Sequence, residues 1–536
     1  MSLGPRFFFC VALLLYATGL WSGLPHASAA DRIRPWNPDE LAPLGAIAEL
    51  YSVFHHSPKF NPQYPLFHYV IQAVFVGPYL IGLSLTGRLS EPSVEYPYGL
   101  TDPVSALATM TVLARSVSWW MAAAVVATAC RTATLLWDRS TGTIAGVMVL
   151  LTYPMFYYAR VSTVDMGALF WTSLGLYVFA VCVREGVTRR RAMALAVFAA
   201  LATATKDMSY AAFLPVGLAA AVQYLREPGS GGRRRAWGDL SAALAASAAA
   251  YALASGLVFH PARYLGHLSF ITGSHEVPDA FFASDGVTPA IAEGYLGLLH
   301  GTWVQLLNSL GAPVAMLGVA GVLLCAVRSP RNLVLALPAL GVLLGVIVPA
   351  RLVYLRYVLV MAYVAAIFAA HALATALGSE RRGLRGAARL GLTLACAWSL
   401  LRGGDLTYQM IHDSRYAVGA WFAENARPGD RIGFYGAWDK FPPLASTLET
   451  VPMPGQIKYL AGPPAAPDFQ PEFILVMGQH PGASHEYTLP RESYRRLLDG
   501  SSGYELVLEV HTRSLLGERL FENVNPVVKV FARKDR

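Results

Sequence analysis

The chain has 536 residues, 54% of them hydrophobic and 14% charged, with a mean hydropathy of +0.42. Soluble domains carry about 25% charged residues, so a soluble reading lacks polar surface, and the apolar content excludes a disordered chain. Cys10, Cys130, Cys182, Cys325 and Cys396 all lie in apolar stretches, which excludes a disulfide scaffold. The apolar runs are long and unbroken rather than alternating, which excludes a β-barrel and leaves a polytopic α-helical membrane protein. The net charge of +8 reads as basic loops on the cytoplasmic side of a bilayer, and no nucleic acid is expected as a partner.

At the N-terminus, Phe7–Gly23 is apolar, follows Arg6 and precedes Ala27-Ser28-Ala29, which resembles a signal-peptidase site. The segment 1–30 is a cleaved signal or a first transmembrane helix (a signal anchor); the helix is preferred because many spans follow. Residues 31–65 then form an outside loop. The pattern predicts an interfacial helix from Pro38 to Phe54, with Asn37 as N-cap and Pro38 at the first position.

Apolar runs near membrane length follow at 66–86, 115–137, 140–159, 165–184, 208–225, 237–259, 308–327, 331–349, 354–377 and 387–402, with a shorter one at 191–205. Arginine-rich clusters at 184–191, 226–235 and 380–389 separate pairs of runs and belong inside. That parity puts Arg160–Asp165, Lys206–Asp207, His260–Asn308, Ala350–Arg356 and the tail outside. For 66–137 there are two solutions: 66–86 is re-entrant, or an extra pass lies near 98–114. The extra pass is preferred and makes about thirteen transmembrane helices. Residues 66–402 are thus a multi-pass domain. Residues 403–536 are a soluble α/β domain outside, with a helix over Asp413–Asn425, a turn at Arg427–Asp430, and strands at Ile432–Tyr435, Phe473–Met477, Tyr504–Val510 and Val527–Ala532.

Parity gathers polar residues on one face: Asp39, Glu40, Arg160, Asp165, Lys206, Asp207, His260, Arg263, Arg351, Tyr354, Arg356 and Tyr357. Ionisable groups at membrane depth are unfavourable unless paired or hydrated, so this sidedness points to a cavity open to the outer leaflet. Carboxylates suit a general base and Arg or Lys a phosphate-bearing partner. Each residue has a plainer role too. Asp39 and Glu40 suit the first turn of the expected helix, Arg160 an interfacial anchor with Asp165 as a cap, Lys206 and Asp207 a solvated turn, and Arg351 and Arg356 snorkelling cations. His260 suits a structural histidine. Phosphate-loop, zinc-protease, serine-hydrolase and Cys/His metal patterns are lacking.

The order of features resembles the GT-C glycosyltransferases, in the family 39-like branch of protein O-mannosyltransferases and lipid A aminoarabinose transferases. It is carried by Pro38-Asp39-Glu40 in the first outside loop and by Tyr64-Pro65-Leu66-Phe67-His68-Tyr69 entering the next helix. Tyr157-Tyr158-Ala159-Arg160 leading to Asp165, Thr205-Lys206, Arg351 to Tyr357, and the tail segment Ala420 to Ile432 complete it. The family usually has two prolines preceded by His or Lys at the second-helix entry. Here the run is Gln63-Tyr64-Pro65-Leu66, so no phosphate or metal contact carries over to Gln63.

The resemblance implies a GT-C fold and transfer of a sugar from a polyprenyl-phosphate donor to a lipid, glycan or protein acceptor hydroxyl on the outer face. It makes Asp39 the catalytic base, supported by Glu40 and Asp165. Arg160, Lys206, Arg351 and Arg356 would bind the donor phosphate, and Tyr69, His260, Tyr354 and Tyr357 would line the substrate pocket. No cofactor and no tightly bound metal are expected. Abundant Ala, Gly, Arg and Pro point to a bacterial inner membrane with the tail periplasmic. The alternative is a membrane transporter or lipid flippase, disfavoured because the charges sit at one interface rather than at mid-membrane between broken helices.

Overall fold

The computed structural model describes residues 3–37, 39–57, 60–61, 63–227, 232–272, 294–435, 441–453, 469–477, 491–517, 520–521 and 523–536. The helices of the membrane domain are α1 (Pro5–Ala17), α2 (Gly45–Phe54), α3 (Phe67–Leu85), α4 (Pro103–Leu136), α5 (Arg139–Leu150), α6 (Met155–Tyr158), α7 (Val164–Glu185), α8 (Arg189–Thr205), α9 (Ser209–Arg226), α10 (Gly232–Ala254), α11 (Pro261–Ile271), α12 (Gly294–Leu310) and α13 (Ala312–Arg328). They continue with α14 (Pro330–Ala350), broken by 3₁₀ and π turns, α15 (Leu355–Leu377) and α16 (Arg382–Ile411). Local capping sets several starts: Asp102 accepts from the Ser105 N–H and Asp138 from the Thr141 N–H.

Among the described residues, α3, α4, α7, α14 and α15 are long and apolar enough to cross a membrane, and α12 with α13, bent by 113°, makes a sixth. By length and composition the helices therefore account for five or six of the thirteen spans counted from hydropathy. Helices approach closely through small residues. Gly321 in α13 lies so near α15 that an added Cβ would sit 1.9 Å from the Phe368 carbonyl oxygen.

The separate pass expected near 98–114 does not exist. Residues from Pro103 run without a break into the apolar run at 115–137 as the 34 residues of α4, a length of about 51 Å. Beyond Arg115, α4 packs along α1, where the Trp119 Nε1–H donates to the Leu13 carbonyl at 2.8 Å. Before it, Leu107 and Met110 cluster with Val76 and Leu83 of α3 and with Ala27. Helix α3 thus lies against the part of α4 that extends past α1.

The interfacial helix also starts later than expected. It begins at Gly45, not Pro38, and Pro38 itself lies outside the described residues. Pro43 supplies no N–H and pushes Ala42 away from helical geometry.

The tail forms a five-stranded sheet in the order β2-β1-β3-β5-β4, with β1 (Arg431–Tyr435), β2 (Glu449–Pro452), β3 (Phe473–Met477), β4 (Tyr504–Val510) and β5 (Val528–Arg533). β1 is parallel to β2 and β3, and β5 is antiparallel to β3 and β4. Helix α17 (Ser414–Asn425), capped by Asp413, buries Val418 and Phe422 against Ile432, Phe473 and Val530. The four expected strands are present; β2 and a helix α18 (Arg491–Leu498) were not foreseen.

The tail sits firmly on the membrane domain. Arg32 donates to the carbonyls of Ala445 (2.8 Å) and Leu448 (2.7 Å). Asp405 of α16 accepts from the Ser514 hydroxyl (2.7 Å) and the Leu515 N–H (2.9 Å). Phe521 stacks on Tyr157 with ring centroids 3.9 Å apart.

Candidate functional site

Asp39 and Glu40 follow one another in a turn, not in a helix, and diverge. The Asn37 side-chain oxygen accepts from the Asp39 N–H at 3.2 Å, which shapes this turn. The Glu40 side chain is fully buried and receives two hydrogen bonds from the Arg115 guanidinium, at 2.6 and 2.9 Å. The Ser162 N–H (3.0 Å) and hydroxyl (3.1 Å) donate to the same carboxylate. Arg115 also donates to the carbonyls of Leu20 and Ser22. Glu40 therefore ties together the end of α1, the middle of α4 and the loop before α7.

Asp39 turns the other way. Its side chain is 41% exposed and pairs with Arg356 in the first turn of α15. Asp165, in the first turn of α7, is buried and takes a 2.5 Å hydrogen bond from Lys206, which follows the end of α8. The Lys206 ammonium lies 5.6 Å from the Tyr357 ring centroid, and the Arg356 guanidinium 5.1 Å from the ring of Tyr354. Asp165, Lys206, Arg356 and Tyr357 line a cleft whose other walls include Val346 and Val360. The Tyr64 phenol stands near both carboxylates. Burial, with Asp39 and Asp165 adding to it, raises its pKa, so it stays protonated and able to donate.

The structure thus brings together Asp39, Asp165, Lys206, Arg356, Tyr354 and Tyr357. Other expected residues stand elsewhere. Glu40 does not face the cleft, because Arg115 and Ser162 occupy it. Arg160 is buried and does not present itself to a phosphate. It donates to the carbonyls of Leu15, Tyr16 and Phe156 and to the Thr407 hydroxyl, binding α1 to α16.

His260 is the cap of α11. Its Nδ1 accepts from the Arg263 N–H and its Nε2 meets the Ser57 carbonyl. Tyr69 is 1% exposed and packs behind the Asp39 loop with Leu41 and Leu66. Arg351 is exposed, left-handed at φ 52°, and makes no hydrogen bond or ion pair with the described residues.

Lys206 and Asp207 are not a solvated turn, since Asp207 lies 3.1 Å from the buried His267. Three residues of this region escaped the sequence reading: Arg115, Glu49, which forms a buried pair with Arg263 at 3.0 Å, and His267. Arg115 had a signal, a cation at the head of an apolar run, but was read as the boundary of a span. Among the described residues, no group of three or more His, Cys, Asp or Glu side chains is placed to hold a metal ion.

No model of a known protein family matches the sequence, and no curated protein matches it. Solved structures are similar in fold. One is ArnT from Cupriavidus metallidurans bound to undecaprenyl phosphate, at 13% identity and a TM-score of 0.48, over 98% of this chain and 97% of that one. Another is the Archaeoglobus fulgidus oligosaccharyltransferase, at 14% identity and 0.47, over 88% and 68%. A third is the arabinofuranosyltransferase AftD from Mycobacteria, at 15% and 0.39, over 95% of this chain and 40% of that one.

Proposed function

We propose that this protein is an integral-membrane glycosyltransferase that moves a sugar from a polyprenyl-phosphate donor to an acceptor hydroxyl on the outer face of a bacterial inner membrane. The observation that carries the reading is a cleft with apolar walls lined by Asp165, Lys206 and Arg356, with the half-exposed Asp39 paired to Arg356 beside it.

Asp39 is the accessible carboxylate and serves as general base. The acceptor oxygen attacks the anomeric carbon and its proton passes to Asp39. The bond from that carbon to the phosphate oxygen breaks, and the electron pair leaves with the lipid phosphate. Arg356 and Lys206 neutralise that charge, and the exposed Arg351 is a further cation within reach of an arriving headgroup. In the free protein the carboxylates hold these cations, and the donor phosphate exchanges with them. Buried Asp165 orients Lys206. Val346 and Val360 suit the first isoprene units, and Tyr354 and Tyr357 flank the sugar. The acceptor is a lipid, glycan or protein, and the tail is periplasmic.

The test is purified full-length protein incubated with a polyprenyl phosphate bearing a radiolabelled sugar. Release of the free lipid phosphate, accelerated by acceptor, is the expected result. Movement of the labelled lipid between leaflets without bond cleavage would instead establish the transporter reading.

A further inference from the structure

The ends of α7, α8, α9 and α10 remote from the cleft are bound into one surface. Asp239 of α10 accepts from the Tyr224 hydroxyl of α9 at 2.7 Å and lies 3.7 Å from the Arg189 guanidinium of α8. Arg191 of α8 donates to the carbonyls of Glu185 and Gly186 at the end of α7, and Gln223 of α9 donates to the Cys182 carbonyl. Asp165 and Lys206 of the cleft sit at the opposite ends of α7 and α8. The 22 residues of α7 span about 33 Å, close to the roughly 30 Å of a bilayer core. This surface therefore lies at the other leaflet.

It carries Arg189–Arg191, Arg233–Arg235, Arg184 and Arg226 against three acids, Glu185, Glu227 and Asp239. Among the described residues only two of these cations are paired, Arg191 with Glu185 and Arg189 with Asp239. Arg190 and Arg233–Arg235 are exposed and have no acidic partner there. Six of the eight occupy the first turns of α8 and α10. A cation there opposes the positive end of the helix dipole, so the arrangement is unfavourable until an anion arrives. Trp237, in the next turn of α10, is 59% exposed, as suits an aromatic ring at headgroup depth.

We propose that this surface binds the headgroup phosphates of anionic phospholipids in the leaflet opposite the cleft. Guanidinium forks match phosphate oxygens two at a time, and convergence of four helix ends allows one or two lipids to be held at once. The inference is independent of the proposed reaction.

The experiment is native mass spectrometry of the detergent-solubilised full chain titrated with phosphatidylglycerol or phosphatidylcholine. The wild type should retain phosphatidylglycerol several-fold more than phosphatidylcholine, and R233Q/R234Q/R235Q should lose that preference. R495Q/R496Q in the tail, a comparable loss of charge, should keep it. Equal retention of the two lipids, an unchanged preference in the triple variant, or an equal loss in the tail variant would overturn the proposal. So would displacement of the lipid by millimolar inorganic phosphate, which would mark a free-phosphate site. Should the triple variant fail to fold, R190Q/R234Q removes two exposed cations without acidic partners and decides in the same way.

Discussion

Arg356 forms an ion pair with Asp39, 317 residues earlier in the chain. The neighbouring Glu40 is turned away into a buried pair with Arg115. One acidic dipeptide therefore supplies a partner to a cation of the cleft and a structural tie to the helices behind it. The two halves respond differently to substitution.

Asp39→Asn keeps the shape of the side chain and removes the proton acceptor. General-base catalysis typically contributes about 10²–10⁴-fold, so kcat at saturating donor should fall by about that factor. The donor KM should stay level or drop, because Arg356 is freed. A role in the helix dipole is set aside, since α2 begins at Gly45. Turnover within a few-fold of the parent would transfer the base assignment to Asp165.

Arg356→Ala should raise the donor KM more than it lowers kcat. Arg356→Lys should recover only part of the loss, because an ammonium cannot reproduce the two-pronged phosphate contact. Arg160→Ala should behave in the opposite way. It strands buried carbonyls at the end of α1, so thermal stability falls while donor affinity in the remaining folded protein is unchanged. Donor titrations on the three purified variants separate these outcomes, and weaker donor binding in Arg160→Ala would return that residue to the site.

Glu40→Gln should destabilise the protein rather than slow it. Removing one partner of a buried ion pair costs about 3–5 kcal/mol, because the remaining charge stays buried. The Glu40→Gln/Arg115→Met double variant should regain part of that loss. The measurement is the thermal midpoint of the single and double variants beside kcat of the folded fraction. A catalytic role for Glu40 predicts instead a stable, inactive Glu40→Gln.

In the tail, burial pushes the Glu472 carboxyl up, but hydrogen bonds from the Arg431 side chain and its 2.8 Å backbone N–H outweigh this and hold it below its usual range. A carboxyl depressed in the folded state adds stability above its unfolded pKa, about 4.3, and that stability is lost as pH falls through the folded value. The protection of the β1 and β3 amides against hydrogen exchange, relative to the intrinsic rate at each pH, should therefore fall below about pH 4. Glu472→Gln should exchange faster at neutral pH and lose most of this pH dependence.

Hydropathy and charge by themselves determined that the chain is a bundle of membrane helices, which loops are basic, and that the tail holds strands at 473–477 and 504–510. These are local properties: a run of apolar side chains or an alternating segment carries its own driving force. The same reading gathered Asp39, Asp165, Lys206 and Arg356 on one face. It did not pair them, since pairing joins residues hundreds of positions apart. It also broke α4 at Arg115, because a charge in an apolar run counts as an end when its partner is unseen. Only the tertiary structure, by bringing Glu40 and two backbone carbonyls to that guanidinium, removes the desolvation cost and lets the helix continue. The same packing satisfies Arg160, His260 and Glu40 away from the cleft, and pairs Asp39, the more exposed of the two neighbouring acids, with Arg356.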